Sequence, residues 1–167
     1  YMMVSGLGAA ATIRVGNQKG MKNYIELRRI AFSNFLLVMI LMAVFSMILI
    51  SSKDVLPWLF TDNLEVIGIA SSLLIVAALF QFSDGLQAVV LGGLRGLQDL
   101  YVPSVLSFIA YWVIGFPISY YLGRCTSIGA TGIWIGLLVA LTSSALMLFL
   151  RFNYLSNKLI KEKNETT

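Results

Sequence analysis

The chain has 167 residues, of which 58% are hydrophobic and only 12% charged, with a net charge of +4. A soluble domain of this length cannot bury so much apolar surface and still present a charged exterior, so the composition reads as a polytopic membrane protein with no nucleic-acid partner. The single cysteine, Cys125, rules out an intrachain disulfide, and the lack of histidine removes His-based metal sites, His-dependent triads and His pH sensing.

Spanning about 30 Å of hydrocarbon takes roughly 20 apolar residues. Hydropathy predicts five helices, at residues 2–15, 30–50, 66–94, 102–122 and 128–150, so the fold class is an all-α, polytopic transmembrane helix bundle. The first helix begins almost at once after Tyr1, which reads as an internal or C-terminal piece of a longer protein. The third is long enough to require tilt or a bend. Pro103 falls in the first turn of the fourth helix, where a missing N–H is harmless. Pro117 lies inside that helix and leaves the Val113 carbonyl without its donor, which predicts a bend. The transmembrane part is residues 1–157, and a polar, charge-mixed tail covers 158–167.

Basic residues orient the bundle. Arg14, Lys19, Lys22, Arg28 and Arg29 flank the first connection, Arg95 the third, and Arg151, Lys158, Lys161 and Lys163 the C-terminal end. The opposite side has only Lys53 and Arg124, with Asp54, Asp62 and Glu65 beside Lys53. The positive-inside rule puts the first side, and the C-terminus, in the cytoplasm.

Asp84 is the one charged residue deep in a predicted helix; residues 66–83 before it carry no charge. A carboxylate near mid-bilayer costs at least about 2.5–3.5 kcal/mol on insertion scales, so it marks an ion, proton or substrate site facing a bundle interior. Gln81, Asp84, Ala88 and Gly92 share a helix face, polar at one level and small below. This pattern predicts a cation- or proton-coupling site at Asp84 and Gln81, with open space lined by Ala88 and Gly92. The bland alternative for Asp84 is a hydrogen bond to a neighbouring helix. Tyr111 is deep enough to line the same cavity, whereas Trp112, Phe116, Tyr120 and Tyr121 read as an interfacial belt or packing. Gly132, Gly136, Ala140 and Ser144 recur at steps of four and read as a packing stripe. Gly16 and Gly20 read as a helix end and a turn. Arg14 and Arg95 sit where a side chain reaches headgroups or loop carbonyls. The sequence has no P-loop, no GxGxxG after a strand, no GxSxG and no CxxC, so no enzyme and no phosphate-driven pump is encoded in this chain.

Several phrases, in order along nearly the whole chain, resemble the multidrug and toxic compound extrusion (MATE) transporter family. They are Ala11-Thr12-Ile13-Arg14-Val15-Gly16-Asn17 with Gly20, Leu59-Phe60-Thr61-Asp62, Gln81-x-x-Asp84-Gly85-x-Gln87, Gly92-Gly93-Leu94-Arg95-Gly96, Gly115-x-Pro117 and Gly129-x-x-Gly132-x-Trp134-x-Gly136. The resemblance implies twelve helices in two lobes, with this chain as helices eight to twelve of the C-terminal lobe. The N-terminal lobe and the seventh helix, acidic near the cation site in many members, would be missing partners. It implies efflux antiport in a cell membrane, the bacterial inner membrane above all: sodium or a proton enters, an organic cation or drug leaves. Asp84 matches the acidic position of the tenth helix. Sodium there is the one metal ion implied, and no other cofactor is. Two other readings remain. A lipid-linked oligosaccharide flippase of the same superfamily fits less well, because no Lys or Arg lies mid-helix. A structural or assembly subunit predicts that Asp84 is replaceable.

Overall fold

The computed structural model describes residues 2–125 and 130–165. The predicted start of the fifth helix at 128, Gly129 and the last two residues of the tail lie outside these residues. The helices are α1 (Met2–Gly20), α2 (Tyr24–Ser51), α3 (Leu64–Gly96), α4 (Tyr101–Phe108), α5 (Phe116–Arg124) and α6 (Ala130–Glu165). A π turn, Ile109–Gly115, joins α4 to α5, so Tyr101–Arg124 is one helical rod and the bundle has five rods. The rods other than α1 are long and apolar enough to cross a membrane. Ser5, Gly8, Thr12, Arg14 and Asn17 make α1 less apolar.

The helices outrun the hydrophobic edges that defined them in the sequence. The second starts at Tyr24, because Glu26, Arg28 and Arg29 are good helix formers and Glu26 meets Arg29 at 3.9 Å one turn on. The last runs to Glu165 rather than stopping at 150, so the described part of the polar tail is helix. At 36 residues α6 is about 54 Å long, well beyond a 30 Å hydrocarbon layer. The start of α3 is fixed locally by Asn63, whose side-chain oxygen accepts the Glu65 N–H at 3.0 Å.

Pro117 has no N–H for the Val113 carbonyl. In place of a simple bend, the rod widens by one residue just upstream, and the Phe116 N–H donates to the Tyr111 carbonyl five residues back.

Pulling apolar helices together gains little in lipid, so close backbone approach and hydrogen bonds carry the packing. Two glycine seams do this. The first joins α1 and α3, which run parallel. A side chain at Gly92 would strike the Gly8 carbonyl oxygen, and one at Gly96 would lie 2.7 Å from the Thr12 carbonyl oxygen. The Thr12 hydroxyl donates to the Gly92 carbonyl at 3.0 Å. Gly16 belongs to this seam, facing Gly96; it is not the helix end that its spacing predicts, and only Gly20 has that role. The second seam sets the rod against α6, with Gly132 on Leu122, Gly136 on Ser119 and Ala140 on Gly115, as the packing stripe predicts. Helix α3 is central and packs on α1, α2 and α6; the rod packs mainly on α6. Phe32, Phe35, Phe149 and Phe152 fill the α2–α6 side, Phe35 and Phe152 meeting edge-on at 5.3 Å.

At the basic end, α1 and α3 stop in the same way. Lys22 and Gln98 take left-handed backbone (φ 54° and 62°), and the next residues donate back, Asn23 to the Gln18 carbonyl and Asp99 to the Leu94 carbonyl, both at 3.0 Å. Side chains then tie the turns together. The Lys19 ammonium donates to the Leu97 carbonyl at 2.7 Å. Arg151 pairs with Asp99 at 2.8 Å, and Lys163 donates to the Lys22 carbonyl at 3.0 Å. Arg28 donates to Asn153 at 2.8 Å and also to Asn157.

Candidate functional site

Asp84 stands on α3 two turns before Gly92, level with the first turn of α1, because Gly8 is seated between Ala88 and Gly92. It is half-buried, and among the described residues it makes no hydrogen bond and no salt bridge. The amide oxygen of Gln81, one turn away, is buried with no hydrogen-bond partner among the described residues. The bland reading of Asp84 as interhelical glue has no bond to support it here.

The predicted open space below Asp84 is not there. Gly92 meets the Gly8 backbone, and a Cβ added at Gly8 would lie 3.2 Å from the Ala88 carbonyl oxygen, so these two residues line a helix seam rather than a cavity. The small residues that suggested room are what lets α1 fill it.

Polar continuity runs sideways instead. The Tyr111 hydroxyl donates to Gln87 Oε1 at 3.0 Å, and Gln87 Nε2 donates to Ser144 Oγ at 3.0 Å. Ser107 Oγ lies 3.5 Å from Ser144 Oγ. The chain of bonds therefore crosses α3, the π turn, α6 and α4, and each bond orients the next. Sequence reading passed over Gln87 and Ser107 as sites and took Ser144 as packing. The signal was the recurrence of polar residues at 81, 84 and 87, which puts Gln87 on the flank of the Asp84 face.

Tyr111 also lines an open groove of about 560 Å³ between the rod and α6, with Trp112, Phe116, Ser119, Tyr120 and Arg124 on one wall and Ile133 and Leu137 on the other. Of the aromatic residues read as a belt, Trp112, Phe116 and Tyr120 therefore wall a groove. Its inner end is Tyr111, and through it the groove meets the Gln87–Ser144 hydrogen bonds. Volume and lining fit a drug-sized aromatic ligand.

The MatE family model matches residues 1–121. The chain belongs to this family. MATE proteins are transporters rather than enzymes. Over 159 residues the chain is 37% identical to a probable multidrug resistance protein NorM of Xylella fastidiosa strain Temecula1, covering 95% of this chain and 34% of that protein. It is 41% identical to the multidrug resistance protein NorM of Vibrio vulnificus strain YJ016, covering 93% and 35%. The chain thus spans about a third of the length of the curated relatives it matches. Among solved structures, the eukaryotic MATE transporter AtDTX14 superposes with a TM-score of 0.84 at 24% identity, covering 97% of this chain and 37% of that one. An inward-facing MATE multidrug transporter superposes with a TM-score of 0.82 at 18% identity, covering 96% and 39%, and an outward-facing one with 0.84 at 18%, covering 95% and 36%. The membrane-helix bundle predicted from sequence is therefore the MATE fold.

Proposed function

We propose that this chain is the part of a MATE efflux transporter that carries a cation-coupling site, exchanging sodium or protons for an organic cation or drug by alternating access. The observation that carries the reading is Asp84, a half-buried carboxylate in an apolar helix that among the described residues makes no hydrogen bond and no salt bridge, one turn from Gln87, which bonds the groove residue Tyr111. A coupling ion needs a group that is neutralised when loaded and charged when empty, because the two states then favour different arrangements of the bundle. Gln81, with its free amide oxygen, orients or solvates the ion. Tyr111 and Gln87 join that site to the groove that takes the aromatic substrate. The near-equal fit to inward- and outward-facing relatives supports a lobe that moves as one body against an N-terminal lobe and a seventh helix. The protein sits in the bacterial inner membrane, basic end and C-terminus in the cytoplasm.

The test is Asp84→Asn in the complete protein. The variant keeps shape and hydrogen bonding but cannot titrate or neutralise sodium. It inserts and accumulates normally, with a small gain in stability, and loses gradient-driven efflux. Gln81→Leu weakens efflux less. Wild-type efflux with unchanged cation dependence in Asp84→Asn would refute the coupling role. Orientation is checked at Cys125, which is exposed: a membrane-impermeant maleimide labels it on intact cells, and labelling only after lysis reverses the topology.

A further inference from the structure

Arg28 is a half-buried cation without a counter-charge. Among the described residues its guanidinium has no carboxylate in ion-pair range. Two neutral side chains of α6, Asn153 and Asn157, accept its hydrogen bonds, and it lies 5.4 Å from the Phe32 ring centroid. Carboxamide oxygens fix the direction of a guanidinium but leave its charge and its other N–H donors available. The next residue is the opposite case: Arg29 is exposed and matched by Glu26 at 3.9 Å.

An apolar groove of about 440 Å³ leads away from this cation, between α2 and α6 and over α3, lined by Met39, Phe82, Leu86, Leu146, Phe149 and Leu150. The hydroxyls in its wall make no demand on an occupant, because Ser83 and Thr142 bond each other at 2.8 Å. Arg28, Phe32 and Met39 lie within about 40° of one another on α2. Thr142, Leu146, Phe149, Asn153 and Asn157 recur at steps of four and three along one face of α6. Phe149 lines the groove and Phe32 lies under Arg28; their rings meet at 5.8 Å, so groove and cation are continuous. From Thr142 to Asn157 is about 23 Å of helix, and one leaflet with its headgroups is about 20–22 Å deep.

We propose that this α2–α6 face binds an anionic phospholipid of the leaflet at the basic end, with the phosphate on Arg28 and one acyl chain in the groove. A planar guanidinium takes a phosphate with two parallel hydrogen bonds. Lys161, one turn past Asn157, adds positive charge beside it. A zwitterionic headgroup brings its own cation to the same place and gains less.

The experiment counts lipid retained by the complete protein. The protein is purified in detergent, supplied with equal amounts of phosphatidylglycerol and phosphatidylcholine of the same chains, and weighed by native mass spectrometry. Wild type is expected to hold one phosphatidylglycerol in preference to phosphatidylcholine. Arg28→Gln should cut that preference about fivefold, and Arg28→Lys less. Arg29→Gln removes the same formal charge one residue away and should leave the preference unchanged. Leu146→Trp fills the groove and should lower retention of both lipids. Equal loss in Arg28→Gln and Arg29→Gln would mean that net charge alone attracts the lipid, which overturns the site, as would wild-type retention in Leu146→Trp. Wild type retaining neither lipid would mean that another part of the protein covers this face, and also overturns it. Thermal unfolding of each variant in detergent reports its folding; if Arg28→Gln does not fold, the Arg29→Gln and Leu146→Trp results decide.

Discussion

The two ends of the bundle are built on opposite plans. At the basic end, α1 and α3 stop in matching left-handed turns, and the Lys19, Arg28, Arg151 and Lys163 side chains stitch those turns to one another and to the long end of α6. At the other end, the rod and α3 rest on α6 without packing on each other, and a groove opens between the rod and α6. Tyr111 spans from the rod to α3 through one side-chain hydrogen bond. The difference teaches where this helix bundle is tied and where it is open. The closed end holds the helix ends in one register, and the open end leaves side chains exposed along the groove.

The largest effect is expected where the closed half depends on backbone contact. Gly92→Leu puts a side chain into the Gly8 backbone, which cannot yield as a flexible side chain would, and should cost about 3 kcal/mol or more. Thermal unfolding in detergent checks this; an unchanged melt would mean that α1 is not seated on α3 as described. Next comes the Arg151–Asp99 pair, whose acid is only 15% exposed. Arg151→Ala should cost about 2 kcal/mol and speed hydrogen exchange in residues 94–100. Restoration by adding Asp99→Asn would show that the stranded carboxylate, rather than lost packing, sets the cost. The smallest effect belongs to the open end, where Tyr111→Phe removes one hydrogen bond worth about 1 kcal/mol. It should leave exchange at the basic end untouched and free the Gln87 side chain, which nuclear magnetic resonance of the labelled amide would detect. A matching rise in exchange at residues 94–100 would mean that the two ends are not mechanically separate.

Much of this was legible in the chain. Unbroken apolar runs revealed the rods, and steps of four from Gly132 to Ser144 revealed a packing stripe on α6, though not that the rod is its partner. Asp84 stood out in the sequence because charge is rare in hydrocarbon. What the sequence hid depended on a second helix. Gly92 and Ala88 looked like the walls of a space, and only the position of α1 shows that Gly8 fills it. Gln87 carried no charge to draw attention, and its role appears only once Tyr111 and Ser144 arrive from other rods. The helical tail to Glu165 was hidden because hydropathy marks where a helix leaves the membrane, not where it ends.

The π turn before Pro117 also sets a phase. Twelve residues of regular helix turn through about 1,200°, which would leave Ser119 about 120° out of line with Ser107. The turn absorbs one residue and cuts that offset to about 20°. Ser107 can therefore face Ser144 while Gly115 meets Ala140 and Ser119 meets Gly136 along one line of α6. A rod without the surplus residue could seat its upper half or its lower half on α6, but not both. Proline, which denies the helix a hydrogen bond, thereby keeps the polar cluster and the packing seam on the same side of the same rod.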